Sequence, residues 1–282
     1  MLKQPLLGKL NQGSIYTCAR AERYVACTVF GIVLTARCDL AQDKHNVLNY
    51  APMVPLDEWL KIDGYEIIIE KIAADIASRM DSALKVIGLP QSVLISQTPK
   101  SILDNYIRAP EADSKLKKQD AKFVDLTERL QQLAECRAGF GPASLQLFAD
   151  YDSIVGSTIK ELVHQKLSGY YFLPAVEVDA LQTGFVVLLR EVAHLPRRLA
   201  QLVAEGLEAA HHELAENTEW GVHLSFANSD FAMPIGELMS PHVEHLLQTF
   251  SFLFGRIGLP DPEKESVIAL CSIRPSTTET SK

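Results

Sequence analysis

The sequence is defined first by what it lacks. No apolar run in its 282 residues approaches the roughly 20 that a membrane-spanning helix needs, so no membrane role is expected. The five cysteines (Cys18, Cys27, Cys38, Cys136, Cys271) are odd in number and far apart. That spread fits reduced thiols in a cytoplasm rather than a disulfide framework. No second Cys or His stands at CxxC-like spacing from Cys38, so zinc is not expected there, and no cofactor is expected. A Gly-rich phosphate loop, a GxSxG and an HExxH are all missing, which removes support for nucleotide-driven and common hydrolytic chemistry. Cations are outnumbered: 27 Lys and Arg against 35 Asp and Glu give a net charge of -8. An acidic chain disfavours a broad nucleic-acid footprint, although a local basic patch is compatible with it. The opening MLKQPLLGKLNQGS has no long apolar core and no small-residue cleavage site, so no secretion signal is expected. There is no internal repeat.

What is present is ordinary globular material, 47% apolar and 22% charged. The organising stretch is Val29 to Gln42, VFGIVLTARCDLAQ. A short apolar, β-branched run that breaks into Arg37, Cys38 and Asp39 reads as a strand buried on both faces. Such a strand delivers its polar end to a rim, where binding tends to sit. Ser14 to Arg20 reads as a strand before it, and Val47 to Val54 as one after it. Pro52 and Pro55 cannot donate to a ladder, which predicts that the latter lies at an edge or ends early.

From Leu56 the period changes to that of helices. Glu66 to Ile87 carries Ile69, Ile72, Ile76 and Met80 at helical spacing, and Gly88-Leu89-Pro90 stops it. Glu111 to Lys122 is a polar, solvated stretch. Phe123 to Arg137 puts Leu126, Leu130 and Leu133 on one face, and Ser153 to Leu167 is again helical. Strand character returns at Tyr170 to Val178 and Phe185 to Leu189, after a turn at Ala180 to Gly184. A helix opens near Arg197, Trp220 to Phe226 reads as another strand, and Ser240-Pro241 starts a final helix.

Two strand groups, 14–54 and 170–226, are therefore separated by a mainly helical segment. Neither group alone closes a barrel. A folded helical insertion between strands of one small barrel is the economical arrangement. The expected fold is α+β. Residues 1–56 give the first part of a small β-barrel, 57–168 the helical insertion, and 169–230 the second part with one helix. Residues 231–273 form a C-terminal helical segment, and 274–282 a disordered tail.

The order of segments resembles the PemK/MazF family of toxin barrels, which have an SH3-like fold. Gln12-Gly13-Ser14-Ile15-Tyr16 resembles that family's turn into strand one, and Gly31-Ile32-Val33-Leu34-Thr35 its second strand. Phe185 to Leu199, FVVLLREVAHLPRRL, resembles its late strand and following helix. Family members that cut RNA have an arginine just before strand two and a hydroxyl residue near the end of strand three. Here Val25-Ala26-Cys27-Thr28 holds no arginine, and Met53-Val54-Pro55 no Ser or Thr. A cation is needed against the developing phosphorane charge. The resemblance then implies a non-catalytic bacterial module that docks a protein partner in a toxin–antitoxin or phage-defence type system. The rival reading is an endoribonuclease whose arginine has moved to Arg23 or Arg37, with Asp39 as a further candidate. The acidic charge disfavours RNA as a partner.

Single residues allow two readings each. Arg37-Cys38-Asp39 is either a rim site with a thiolate favoured by Arg37, or a small buried cysteine beside an aspartate that caps a turn. Phe252 is either exposed for a partner or part of a helix buried on most of its circumference. His242 and His245 share a helix face at metal-pair spacing, but a solvated or capping role is the commoner use of such residues.

Overall fold

The structure, a computed structural model, describes residues 1–6, 8–108, 119–174, 184–213 and 222–255. Expectations for 111–118, for residues 175–178 of the strand expected over Tyr170 to Val178, for the turn at 180–183, for residues 220–221, for 256–273 and for the tail at 274–282 lie outside these. The strands are β1 (Leu2–Lys3), β2 (Ser14–Tyr16), β3 (Phe30–Val33), β4 (Val47–Pro55), β5 (Tyr170–Leu173), β6 (Phe185–Leu188), β7 (Ala193–Pro196), β8 (Leu207–Glu208), β9 (Phe231–Ala232) and β10 (Pro234–Leu238). Eight of them make one curled, antiparallel half-barrel sheet of order β1-β10-β2-β3-β4-β6-β5, with β7 also on β4. β8 and β9 form a separate pair. The two sequence-distant strand groups are thus hydrogen-bonded to one another: Met53 faces Val187 and Val54 faces Val186 across β4 and β6.

Alternation explains how this sheet is buried. Tyr16, Val33, Tyr50, Val54, Val186 and Leu188 share one core cluster. Their neighbours Ile15, Ile32, Met53 and Val187 belong to another. Successive strand residues point to opposite faces, so both faces carry a core, and β2 and β3 are buried at every position. The first face is covered by α9 (Arg197–Glu205) through Leu199, Ala200 and Val203, and by Trp59 of α2 (Leu56–Lys61). The second is covered by α11 (His242–Phe254) through Val243 and Leu246. Between β3 and β4 lies the short α1 (Arg37–Ala41), and α10 (Ala209–Glu213) follows β8.

The insertion is built from α3 (Asp63–Val86), α4 (Val93–Ser96), α5 (Pro99–Ile102) with a π-helical turn at Leu103–Ile107, α6 (Asp120–Cys136), α7 (Pro142–Asp150) and α8 (Asp152–Val163). Its core is Ile68, Ile72, Ile76 and Met80 of α3 against Phe123, Leu126 and Leu133 of α6. Gly88 ends α3 with φ +76, a conformation that costs a residue without a side chain little. Among the described residues no helix is long and apolar enough to cross a membrane.

Three expectations are corrected. β4 is not an edge strand; it pairs with β3 on one side and with β7 and β6 on the other. Pro52 is tolerated because it falls in the gap between the β7 register, which ends at Tyr50, and the β6 register, which begins at Met53. Residues 222–226, expected as strand, are turn and irregular chain. Residues 231–238 are not helical but contain β9 and β10, and β10 is an inner strand between β1 and β2. Its sequence, PIGEL, hides this because an acid occupies a buried strand position.

Candidate functional site

The densest cluster of polar side chains lies where the sheet meets the insertion. The loop between β2 and β3 is fixed by Tyr24, which is 1% exposed in the core. Backbone bonds from Tyr24 to Ala21 and from Cys27 to Tyr24 hold the turn. This aims the adjacent Arg23 at the first turn of α3. Its guanidinium donates to Asp63 at 2.5 Å and to Glu66 at 3.0 Å, with a second bond to Glu66. Tyr24 donates its phenol proton to the other Asp63 oxygen at 3.0 Å. Burial and then the Asp63 charge hold the Tyr24 phenol far above its ordinary range, and the same two causes push Tyr170 up to about 12. Both stay neutral at physiological pH, so neither phenol is a base. Trp59 packs edge-on to Tyr170, with ring centres 5.2 Å apart. Its six-membered ring lies 2.6 Å from where a Cβ on Gly64 would stand, so position 64 tolerates only glycine without a shift.

Next to this cluster, the Cys27 thiol contacts Glu58 at 3.2 Å. Burial first, then Glu58, push that thiol up to about 11. It is therefore protonated and unreactive at neutral pH. Glu191 accepts the Glu22 backbone N–H at 2.5 Å, and burial raises its carboxyl above the usual range.

The Arg37-Cys38-Asp39 rim lies elsewhere, at the start of α1. Arg37 does not face Cys38; it pairs with Glu244 of α11 at 3.4 Å, both side chains about half exposed. Cys38 is exposed rather than buried, and its thiol lies 3.6 Å from Asp39. Asp39 sits in the first turn of α1, where an acid is favourable. The arrangement brings Arg37, Cys38 and Asp39 close in space but leaves Arg23 with a different partner set. His245 accepts or donates at 2.9 Å with Tyr171, tying α11 to β5, and His242 is exposed. Among the described residues no group of His, Cys, Asp and Glu could hold a metal ion. Phe252 is 68% exposed and Phe254 55%, while Phe250 stacks against Phe254 at 4.8 Å.

Sequence reasoning missed Asp63, Glu66 and Tyr170 as partners of Arg23. They are forty or more positions away, and no local pattern ties them to Arg23. It also missed Glu237, whose signal was an acid inside a strand-like stretch. No protein-family model, curated protein or solved structure matches the chain.

Proposed function

We propose that the chain is a non-catalytic interaction module built on a degenerate PemK/MazF-like, SH3-like barrel. It acts in the bacterial cytoplasm by docking a protein partner, in a toxin–antitoxin or phage-defence type system. The system and the compartment rest on the resemblance and on cysteine usage. What supports the absence of catalysis is the state of Arg23. Arg23 is engaged by two carboxylates, Asp63 and Glu66, so the cluster carries a net negative charge. That field repels a phosphodiester rather than stabilising a phosphorane. What supports docking is Phe252, which projects from the helix that covers the sheet while its neighbours Val243 and Leu246 are fully buried. Exposed aromatic side chains of this kind serve as anchors in interfaces.

The test is to recover the partner with the tagged chain, rebuild the pair from purified proteins, and measure affinity for wild type and Phe252→Asp. The variant loses binding by about a hundredfold, on the scale of a buried aromatic anchor, with an unchanged circular dichroism spectrum. Unaltered affinity removes Phe252 from the interface.

A second reading is the endoribonuclease. The Asp63 carboxylate does have a guanidinium at 2.5 Å, from Arg23, and a phenol at 3.0 Å, from Tyr24. RNA cleavage by the purified chain that vanishes in Arg23→Ala favours it and ends the non-catalytic reading.

A further inference from the structure

A cavity of about 580 Å³ opens between the N-terminal segment, α1 and the end of β10. Lys3, Lys9, Asn11, Arg37, Glu237 and Ser240 line it. Three cations against one carboxylate is the reverse of the whole chain, whose net charge is -8. Charges farther off are screened over about 8 Å at physiological salt; within that length Glu244, 3.4 Å from Arg37, is a second carboxylate beside the lining, and the three cations still leave the local balance positive. Its size lies within the roughly 300–1,000 Å³ of pockets that hold small ligands.

The charged groups differ in how firmly they are engaged. Glu237 is 7% exposed, and a buried carboxylate must be satisfied. One oxygen meets Lys3 at 3.0 Å, the other the Asn11 amide at 3.4 Å. A carboxylate has about four acceptor positions, so Glu237 retains room for a further donor. Among the described residues Lys9 makes no ion pair. Arg37 has only its 3.4 Å contact with Glu244, between two half-exposed side chains. Such a pair contributes little and is readily exchanged. The cavity therefore offers two available cations and one buried acceptor.

We propose that this cavity binds a small phosphate monoester carrying hydroxyl groups, its phosphate held by Lys9 and Arg37 and a hydroxyl donated to Glu237. A bare anion leaves Glu237 unused and repelled. A neutral polyol leaves both cations unused. A phosphorylated sugar satisfies both ends, whether free or as part of a mononucleotide. This site is distinct from the Phe252 docking surface and does not depend on it.

Isothermal titration of the full chain with ribose 5-phosphate, adenosine monophosphate and inorganic phosphate tests it. Both esters bind with a Kd of about 1 mM or tighter, and at least about tenfold tighter than inorganic phosphate. Tighter binding of the nucleotide identifies a base-reading site; equal binding of the two esters identifies a sugar phosphate site. Lys9→Ala and Arg37→Ala are exposed changes that leave the fold intact, and each weakens the esters about tenfold, the loss of one charge-assisted hydrogen bond. Glu237→Gln weakens the esters but not inorganic phosphate. The proposal is overturned if neither ester binds at about 10 mM, if inorganic phosphate binds as well as they do, or if the Lys9 and Arg37 variants bind as wild type does. Equal weakening of all three ligands by Glu237→Gln likewise removes the hydroxyl contact.

Discussion

The sheet and the insertion bury their residues in different ways. In β2 and β3 every residue is buried, because helices and loops cover both faces of the sheet. In α3 and α6 the buried residues recur at helical spacing; on α3, Glu66, Glu70 and Ser78 are exposed, while Lys71 and Arg79 on its flanks pair with Glu161 and Asp125 of neighbouring helices. The sheet thus needs partners brought from distant parts of the chain, whereas the insertion supplies most of its own core. Each of the residues Arg23, Arg37, Cys38, Asp39 and Phe252 lies on the sheet side of this division. The insertion enters from β4 and returns to β5, and these strands are joined through β6. An insertion whose ends lie close together is tolerated, since loop-closure entropy grows only slowly with length. It is tied to the sheet by Arg23 and Tyr24 on Asp63, Cys27 on Glu58, Trp59 against Tyr170, Gln165 against Phe172, and Leu162 packed into the sheet core.

The largest test of that division is Phe123→Ala, at a fully buried ring of the insertion core. It costs about 3–5 kcal/mol, read by urea denaturation. If the two regions are energetically separate, hydrogen exchange of α6 rises while β4 amides stay protected. Equal loss in both makes them one cooperative unit. Next is the junction. Asp63→Ala strands the buried Tyr24 phenol and leaves Arg23 with Glu66 alone, and costs about 2 kcal/mol. Asp63→Asn costs less because it keeps an acceptor. A double-mutant cycle with Arg23→Ala gives a coupling of about 1 kcal/mol or less, since Arg23 is half exposed.

Smaller is the effect at β5, which ends the sheet among the described residues. Leu189 donates to Gly169, which sets the outward-facing groups of β5 as those of Tyr170 and Phe172. The Gln165 amide accepts the Phe172 N–H at 3.0 Å and donates to its carbonyl at 2.7 Å, standing in for a neighbouring strand. Gln165 adopts φ +58 to do so, an unusual conformation for a residue with a side chain. Gln165→Ala lowers stability by about 1 kcal/mol, but exposes an edge that other chains can join. Light scattering rising with concentration is the expected readout; unchanged scattering shows the edge is protected otherwise.

The smallest effect is at His223, whose ring centre lies 4.9 Å from that of His194 with the rings tilted. Burial, then His194, lowers its folded pKa. A histidine lowered in this way favours the folded state when neutral. Its contribution is complete above the unfolded value near 6.5 and is lost as pH falls below that. Stability therefore declines from pH 7 toward 5, and His223→Gln flattens that decline in a thermal melt.

Much of this architecture was legible in the sequence. The run from Phe30 to Val33 announced a doubly buried strand, and the isoleucines of α3 announced a helix, because periodicity reports burial directly. β10 was hidden because Glu237 is buried by Lys3 and Asn11, a pairing between chain positions more than two hundred residues apart. The Arg23 cluster was hidden for the same reason. The edge assignment of β4 failed at Pro52, because a proline is harmless where two partner strands leave a gap, and only the register shows that gap. Cys38 was read as a reactive or buried thiol; its exposure and the turn of Arg37 toward Glu244 follow from α11, whose position no local pattern reveals.

Backbone NOEs between Met53 and Val187 in the labelled full-length chain test the central claim most directly. The account predicts cross-strand NOEs there, together with those joining Leu48 and Leu195 on the same strand. Strong NOEs within β5 and β6 but none to β4 would make the later strands a sheet of their own and contradict the shared half-barrel.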